Sequence, residues 1–169
     1  MPEQSAAAAP AVEQLDGPTG ESAHWVFVTS VDNFRRSADR QFRLQGVKAR
    51  QRNKAARFRP GDRALYYLTG VKAFAGAIHI RGEAYEDHTP IWVGKKPGED
   101  YPFRFDIAPD IVLLDSERWV PAQSLLDELA YPRKWPREHW TLAFQGNVHE
   151  WTAQDFSVVR TALEQAADR

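Results

Sequence analysis

Five consecutive apolar or β-branched positions, Trp25-Val26-Phe27-Val28-Thr29, form a run with no polar alternation. Such a run predicts a strand buried on both faces, and hence a central one. Asp32 is placed to cap a short helix through about Arg40, after which Gly46 opens a polar, Arg-rich loop that closes at the turn Arg59-Pro60-Gly61-Asp62. A second strand is expected at Arg63 to Leu68. A third is expected from Phe74 to Tyr85, with Gly76 marking a bulge or a close backbone approach. Tyr101, Phe103, Phe105 and Ile107 alternate with Pro102, Arg104, Asp106 and Ala108, a period of two that predicts a half-buried strand running on towards Ile111-Val112-Leu113-Leu114. Pro121 suits the first turn of a short helix that buries Leu125, Leu126 and Leu129. Trp140 to Phe144 reads as a last short strand. Thr152 and Asp155 resemble a capping box ahead of a helical stripe of Phe156, Val159 and Leu163. Several short strands with three peripheral helices predict an α+β fold with a compact, strongly curved sheet.

Composition narrows what such a fold can do. The 169 residues are 43% apolar and 27% charged, which suits one hydrophobic core. The chain contains no Cys, which removes disulfide frameworks, cysteine-ligated zinc and thiol nucleophiles together. No stretch approaches the length of a membrane span, and the first residues lack the basic and apolar regions of a secretory signal, so a cytoplasmic location is expected. Residues 1–22 hold few apolar groups beyond short Ala and Pro runs and read as a flexible tail, leaving 23–169 as the folded domain.

The formal charge of −1 conceals a division along the chain. Arg35, Arg36, Arg40, Arg43, Lys48, Arg50, Arg52, Lys54, Arg57, Arg59 and Arg63 lie within 29 positions, against only Asp39 and Asp62. A cluster of this kind is the footprint of an anionic partner, most often nucleic acid. The plainer alternative is a solvated face balanced by the acidic remainder of the chain. Catalytic patterns are weak. Ser30, Asp87 and His88 could be imagined as a hydrolase set, yet no nucleophile elbow surrounds any Ser. The five His form no metal-binding pair at helical spacing, and no Gly-rich phosphate loop is present. No enzyme activity, metal or cofactor is expected.

The ordered series Trp25 to Asn33, Gly46-Val47, Arg59-Pro60-Gly61-Asp62 before Leu65-Tyr66-Tyr67, Ala75-Gly76-Ala77, Ala84-Tyr85-Glu86-Asp87, Tyr101 to Arg104 and Trp140 to Gly146 resembles an EVE domain of the PUA-like superfamily. The resemblance covers about residues 24–166. It implies a small, partly open β-barrel of about five to six strands with flanking helices, and a pocket at the barrel mouth that receives a nucleobase, often a modified one. YTH domains, which read methylated adenine in RNA, are similar. By this resemblance the base pocket involves Ser30, Asn33, Gly46, Val47, Tyr67, Gly76 and Tyr85, with Trp92 as an aromatic wall; Lys48, Arg50, Arg52, Lys54 and Arg57 would hold phosphates. Gln45 stands beside Gly46 where YTH relatives carry a cage Trp. The implied partner is therefore DNA or RNA with one base turned out into a pocket. A nucleobase-like small ligand is the alternative occupant. Read without the resemblance, Trp25, Tyr67 and Trp140 are core residues and Asn33 is a turn or cap residue.

Overall fold

The computed structural model describes residues 22–169; the expected tail, apart from Ser22, lies outside the described residues. The first strand, β1 (His24–Thr29), shows why the opening run carries no polar position. Trp25 and Phe27 point into one apolar cluster with Phe58, Tyr66, Phe105 and Ile107, while Val26 and Val28 point into a second with Phe74, Phe144, Phe156 and Leu163. Both faces of β1 are therefore buried, as an unbroken apolar run requires.

The remaining elements are α1 (Val31–Asp39), β2 (Leu44–Val47), α2 (Arg52–Ala55), β3 (Arg63–Leu68), β4 (Ala73–Ile80), β5 (Tyr85–Glu86), β6 (Phe103–Val112), β7 (Val120–Pro121), β8 (Val148–Trp151) and α3 (Ala153–Ala167). Six strands run in the order β2-β6-β4-β3-β1-β8, with β5 attached to β6 and β7 to β4. β1 pairs in parallel with β3, and every other pairing is antiparallel. The path curls until its two ends approach. The Lys48 N–H just after β2 donates to Asn147 Oδ1 (2.9 Å), and Asn147 also exchanges backbone and side-chain bonds with Val28 beside β8. Hydrogen bonds through one Asn, rather than a strand ladder, join the ends, so the structure is a partly open barrel with flanking helices, α+β in class.

The turn at Arg59 to Asp62 has a clear physical basis. Asp62 is buried and accepts from Ala23 N–H, the Trp25 indole (3.1 Å) and Arg59 N–H, while Gly61 adopts φ +98°, a left-handed conformation that suits Gly.

Five local expectations are corrected. Ser30, not Asp32, caps α1; its hydroxyl accepts from Asn33 N–H (3.0 Å), and Asp32 sits in the first turn, where its charge complements the helix dipole. Gly46 lies inside β2, opposite Arg104, and the basic stretch after it folds into a 3₁₀ turn and α2 instead of an open loop. The strand expected through Tyr85 breaks after Ile80, and Tyr85 pairs separately with β6. Pro121 lies in β7 and precedes a 3₁₀ helix, Ala122–Glu128. Trp140 to Phe144 is 3₁₀ helix, and the last strand is Val148–Trp151. A run as short as Trp140 to Phe144 does not separate helix from strand by periodicity, and Phe144 is drawn into stacking on Tyr67 (4.0 Å). No helix among the described residues is long and apolar enough to cross a membrane.

Candidate functional site

β1 delivers the chain to Ser30, and the capped first turn of α1 fixes Asn33 just beyond the end of β1. Asn33 is 2% exposed, yet its amide is fully engaged. Oδ1 accepts from Val93 N–H (2.9 Å) and Arg36 Nη1 (3.1 Å). Nδ2 donates to Val93 O (2.9 Å) and reaches the Tyr101 hydroxyl (3.3 Å). The Asn33 amide thus grips the N–H and the C=O of one residue together, the same donor and acceptor pattern that an Asn presents to the edge of adenine.

The neighbouring Trp92 is buried against Gly46. A Cβ at Gly46 would lie 2.7 Å from Trp92 Cζ3 and 2.9 Å from Tyr101 O, so only Gly leaves room for the ring. The indole N–H donates to Ser37 Oγ (3.0 Å), whose hydroxyl donates to Gln45 Oε1 (2.8 Å). The Tyr66 hydroxyl donates to the same Gln45 oxygen, and burial pushes the Tyr66 phenol up, so it stays a donor. Arg104, 1% exposed, lies 5.2 Å from the centre of the Trp92 ring. Its Nε donates to Tyr101 O (2.9 Å) and its Nη2 to Thr89 O, while the buried Nη1 makes no hydrogen bond and lies 3.9 Å from Asp87 Oδ2.

Residues 87–100, between β5 and β6, carry Trp92 and Val93 over this site. His88 bridges the base of the loop, with Nδ1 2.5 Å from Asp100 Oδ2 and Nε2 2.7 Å from Glu86 Oε2. Hydrogen bonds to Glu86 and Asp100 raise its pKa. Beside Asp100, Glu99 lies 3.2 Å from Lys48 Nζ and 3.9 Å from Arg50 Nη2. Burial would raise the Glu99 carboxyl, but the bond from Lys48 and the two cations hold it below the ordinary range. Arg52 approaches Glu86 (3.9 Å) and lies over the Phe103 ring, Arg57 pairs with Glu150 (2.6 Å) over Trp25, and Lys54 donates to Val148 O (2.7 Å). The Arg50, Arg52 and Arg57 side chains remain more than half exposed.

Of the residues expected in a pocket, the structure brings together Ser30, Asn33, Gly46 and Trp92, with Lys48 and Arg50 at the rim. Val47, Tyr67 and Gly76 lie elsewhere, and Tyr85 sits at the edge of the cluster. Val47 is buried in the barrel interior. Tyr67 faces the opposite cluster, where burial pushes its phenol up to about 12. Gly76 backs onto Ile111 O, which a Cβ would meet at 3.0 Å. Tyr85 is half-exposed opposite Arg104. Ser37, Tyr101 and Arg104 join this cluster without having been singled out in the sequence, and Gln45, noted there only for its place beside Gly46, joins it too; Ser37 on α1 and Tyr101 ahead of β6 carry no local signal that sets them apart. Ser30, Asp87 and His88 form no hydrogen-bonded set: the Ser30 hydroxyl caps α1, and both His88 nitrogens meet carboxylates. A separate cleft of about 380 Å³ is lined by Tyr131, Lys134, Trp151 and Asp155, and contains none of the expected site residues.

Comparison with known proteins follows the same outline. The family model described as EVE domain matches residues 23–160. A UPF0310 protein of Pyrococcus abyssi is 26% identical over 121 residues, which is 67% of this chain and 82% of that protein. Human THYN1, solved in complex with DNA containing 5-methylcytosine, superposes with a TM-score of 0.54 at 17% identity, covering 85% of this chain and 98% of that one. The YTH domain of the Zygosaccharomyces rouxii MRB1 protein, solved with N6-methyladenosine RNA, superposes with a TM-score of 0.57 at 16% identity, covering 86% of each chain.

Proposed function

The chain belongs to the EVE domain family, and on that premise we propose that it is a non-enzymatic nucleic-acid reader that holds one turned-out, modified base beside Asn33 while basic side chains hold the strand. The observation that carries this reading is the reach of one short loop. Val93 touches Asn33 and Glu99, six residues on, touches Lys48 and Arg50, so a base-reading amide and phosphate-seeking cations lie within one loop's length of each other. Human THYN1, solved with DNA containing 5-methylcytosine, and the MRB1 YTH domain, solved with N6-methyladenosine RNA, point the same way.

The two halves contribute differently. Lys48, Arg50, Arg52, Lys54 and Arg57 supply affinity without reading sequence, because phosphate contacts position a strand. Asn33 inspects the base edge, with Trp92 beside it. Turning a base out of a duplex costs a few kcal/mol, and stacking returns about 1–3 kcal/mol per base, so single strands bind better than duplexes. One buried methyl adds roughly 0.8 kcal/mol, so discrimination by the methyl alone is about fourfold.

Fluorescence anisotropy with matched oligonucleotides tests this: single- and double-stranded, DNA and RNA, with and without 5-methylcytosine or N6-methyladenine. The reading expects binding that is stronger to single strands and is favoured by one modification. A parallel thermal-shift series with free nucleosides provides the contrast. Stabilisation by nucleosides with no oligonucleotide binding would make the chain a small-ligand module instead.

A further inference from the structure

Both halves of the proposed site are occupied by the chain itself. The Val93 peptide satisfies the donor and the acceptor of the Asn33 amide. Glu99 places a carboxylate between Lys48 and Arg50, where a phosphate oxygen would otherwise sit. Glu86, at the base of the same loop, faces Arg52. The loop is built to hold Glu99 in that position. Gly94 has no side chain, and a Cβ there would fall 2.0 Å from Glu99 Oε1 and 2.6 Å from its Cβ. Its two ends are tied by the His88 bridge to Asp100 and by Arg104, which donates to Thr89 O and Tyr101 O.

We infer that residues 87–100 act as a built-in competitor, with Val93 imitating a base edge and Glu99 imitating a phosphate, and that a nucleic-acid strand binds by displacing them. This rests on the nucleic-acid reading above. Physically, the competitor raises the threshold for binding. A strand that offers only phosphates displaces Glu99 but leaves Asn33 paired with Val93; a strand that also offers a suitable base edge replaces both contacts. Every encounter, with or without a suitable base, is thereby weakened by the Glu99 contact, because it must first break an intramolecular contact held at high effective concentration.

The test removes the phosphate mimic and leaves the reading residues intact. Glu99→Gln keeps the shape and removes the charge; Gly94→Ala displaces Glu99 by a second route; Glu138→Gln, on the exposed 3₁₀ segment, makes the same charge change away from the loop. Oligonucleotide affinity is measured by anisotropy at fixed salt, and hydrogen exchange of the Val93 amide is followed in the free and bound wild-type protein. Glu99→Gln and Gly94→Ala are expected to bind modified and unmodified strands alike about two- to fivefold more tightly, the scale of one released ion pair, while Glu138→Gln binds as wild type. Bound strand is expected to speed Val93 exchange. Wild-type binding with no gain in Glu99→Gln over Glu138→Gln, or with Val93 equally protected in the complex, overturns the competitor and leaves the nucleic-acid reading standing. Absence of oligonucleotide binding by all four proteins overturns both.

Discussion

Replacing Asn33 with Ala removes a side chain that serves the barrel and the loop at once. The Ser30 cap survives, because its hydroxyl bonds the Asn33 backbone N–H. The loss is the pair of bonds to Val93, together with the contacts to Arg36 and Tyr101. At about 0.5–1.5 kcal/mol net per hydrogen bond, the two Val93 bonds amount to about 1–3 kcal/mol. Val93 is 60% exposed, so water can reach its freed peptide and the lower half of that range applies. For a domain of this length each kcal/mol lowers Tm by roughly 2–4 °C, giving a fall of about 2–8 °C. Thermal unfolding measured by circular dichroism, with amide exchange of Val93 as the local readout, checks it. A Tm within one degree of wild type and an equally protected Val93 amide would refute the claim that Asn33 anchors the loop. Oligonucleotide affinity is expected to fall as well, since the base-reading amide is gone.

Three further outcomes follow from the same geometry. Gly46→Ala drives a Cβ into Trp92 and the Tyr101 carbonyl and should cost about 1–3 kcal/mol by overpacking; a Tm equal to wild type with unchanged Trp fluorescence would contradict the close approach. Neutralising Arg50, Arg52 and Arg57 together should weaken binding to every strand similarly and flatten the dependence of log affinity on log salt, while an unchanged slope would make the segment a solvated face. In an NMR titration His88 should titrate above 6.5, raised by its bonds to Glu86 and Asp100, and His24, His79 and His149 below it, lowered by burial. The His88 clamp is therefore complete below pH 6.5 and is lost as pH rises through its folded-state value, whereas burying the other three disfavours folding as pH falls below 6.5; a His88 value below 6.5 would remove the clamp.

What could be read from the chain divides along physical lines. β1 was evident because burial on both faces leaves an unbroken apolar run, and β6 because Phe105 and Ile107 face the core while Asp106 faces out. Tyr67 and Tyr66 illustrate the limit. Adjacent strand residues face opposite ways, and a bulge between these two shifts the register, so the sequence alone does not say which Tyr enters the barrel. Tyr66 does; Tyr67 packs on Phe144. Trp140 to Phe144 is too short for its period to distinguish strand from 3₁₀ helix. The network from Trp92 through Ser37 to Gln45 ties the loop to α1 across 55 residues, and the return of Val93 onto Asn33 spans 60 residues. Neither follows from local pattern, because each depends on where the fold brings distant segments together.

Chemical-shift mapping with a short single strand carrying one modified base would locate the interface residue by residue. The account predicts the largest changes at the Asn33 side-chain amide, the Trp92 indole and the Val93 and Glu99 backbone, with smaller ones from Lys48 to Arg57. Changes centred on the Tyr131 and Trp151 cleft, or none at saturating strand, would contradict it.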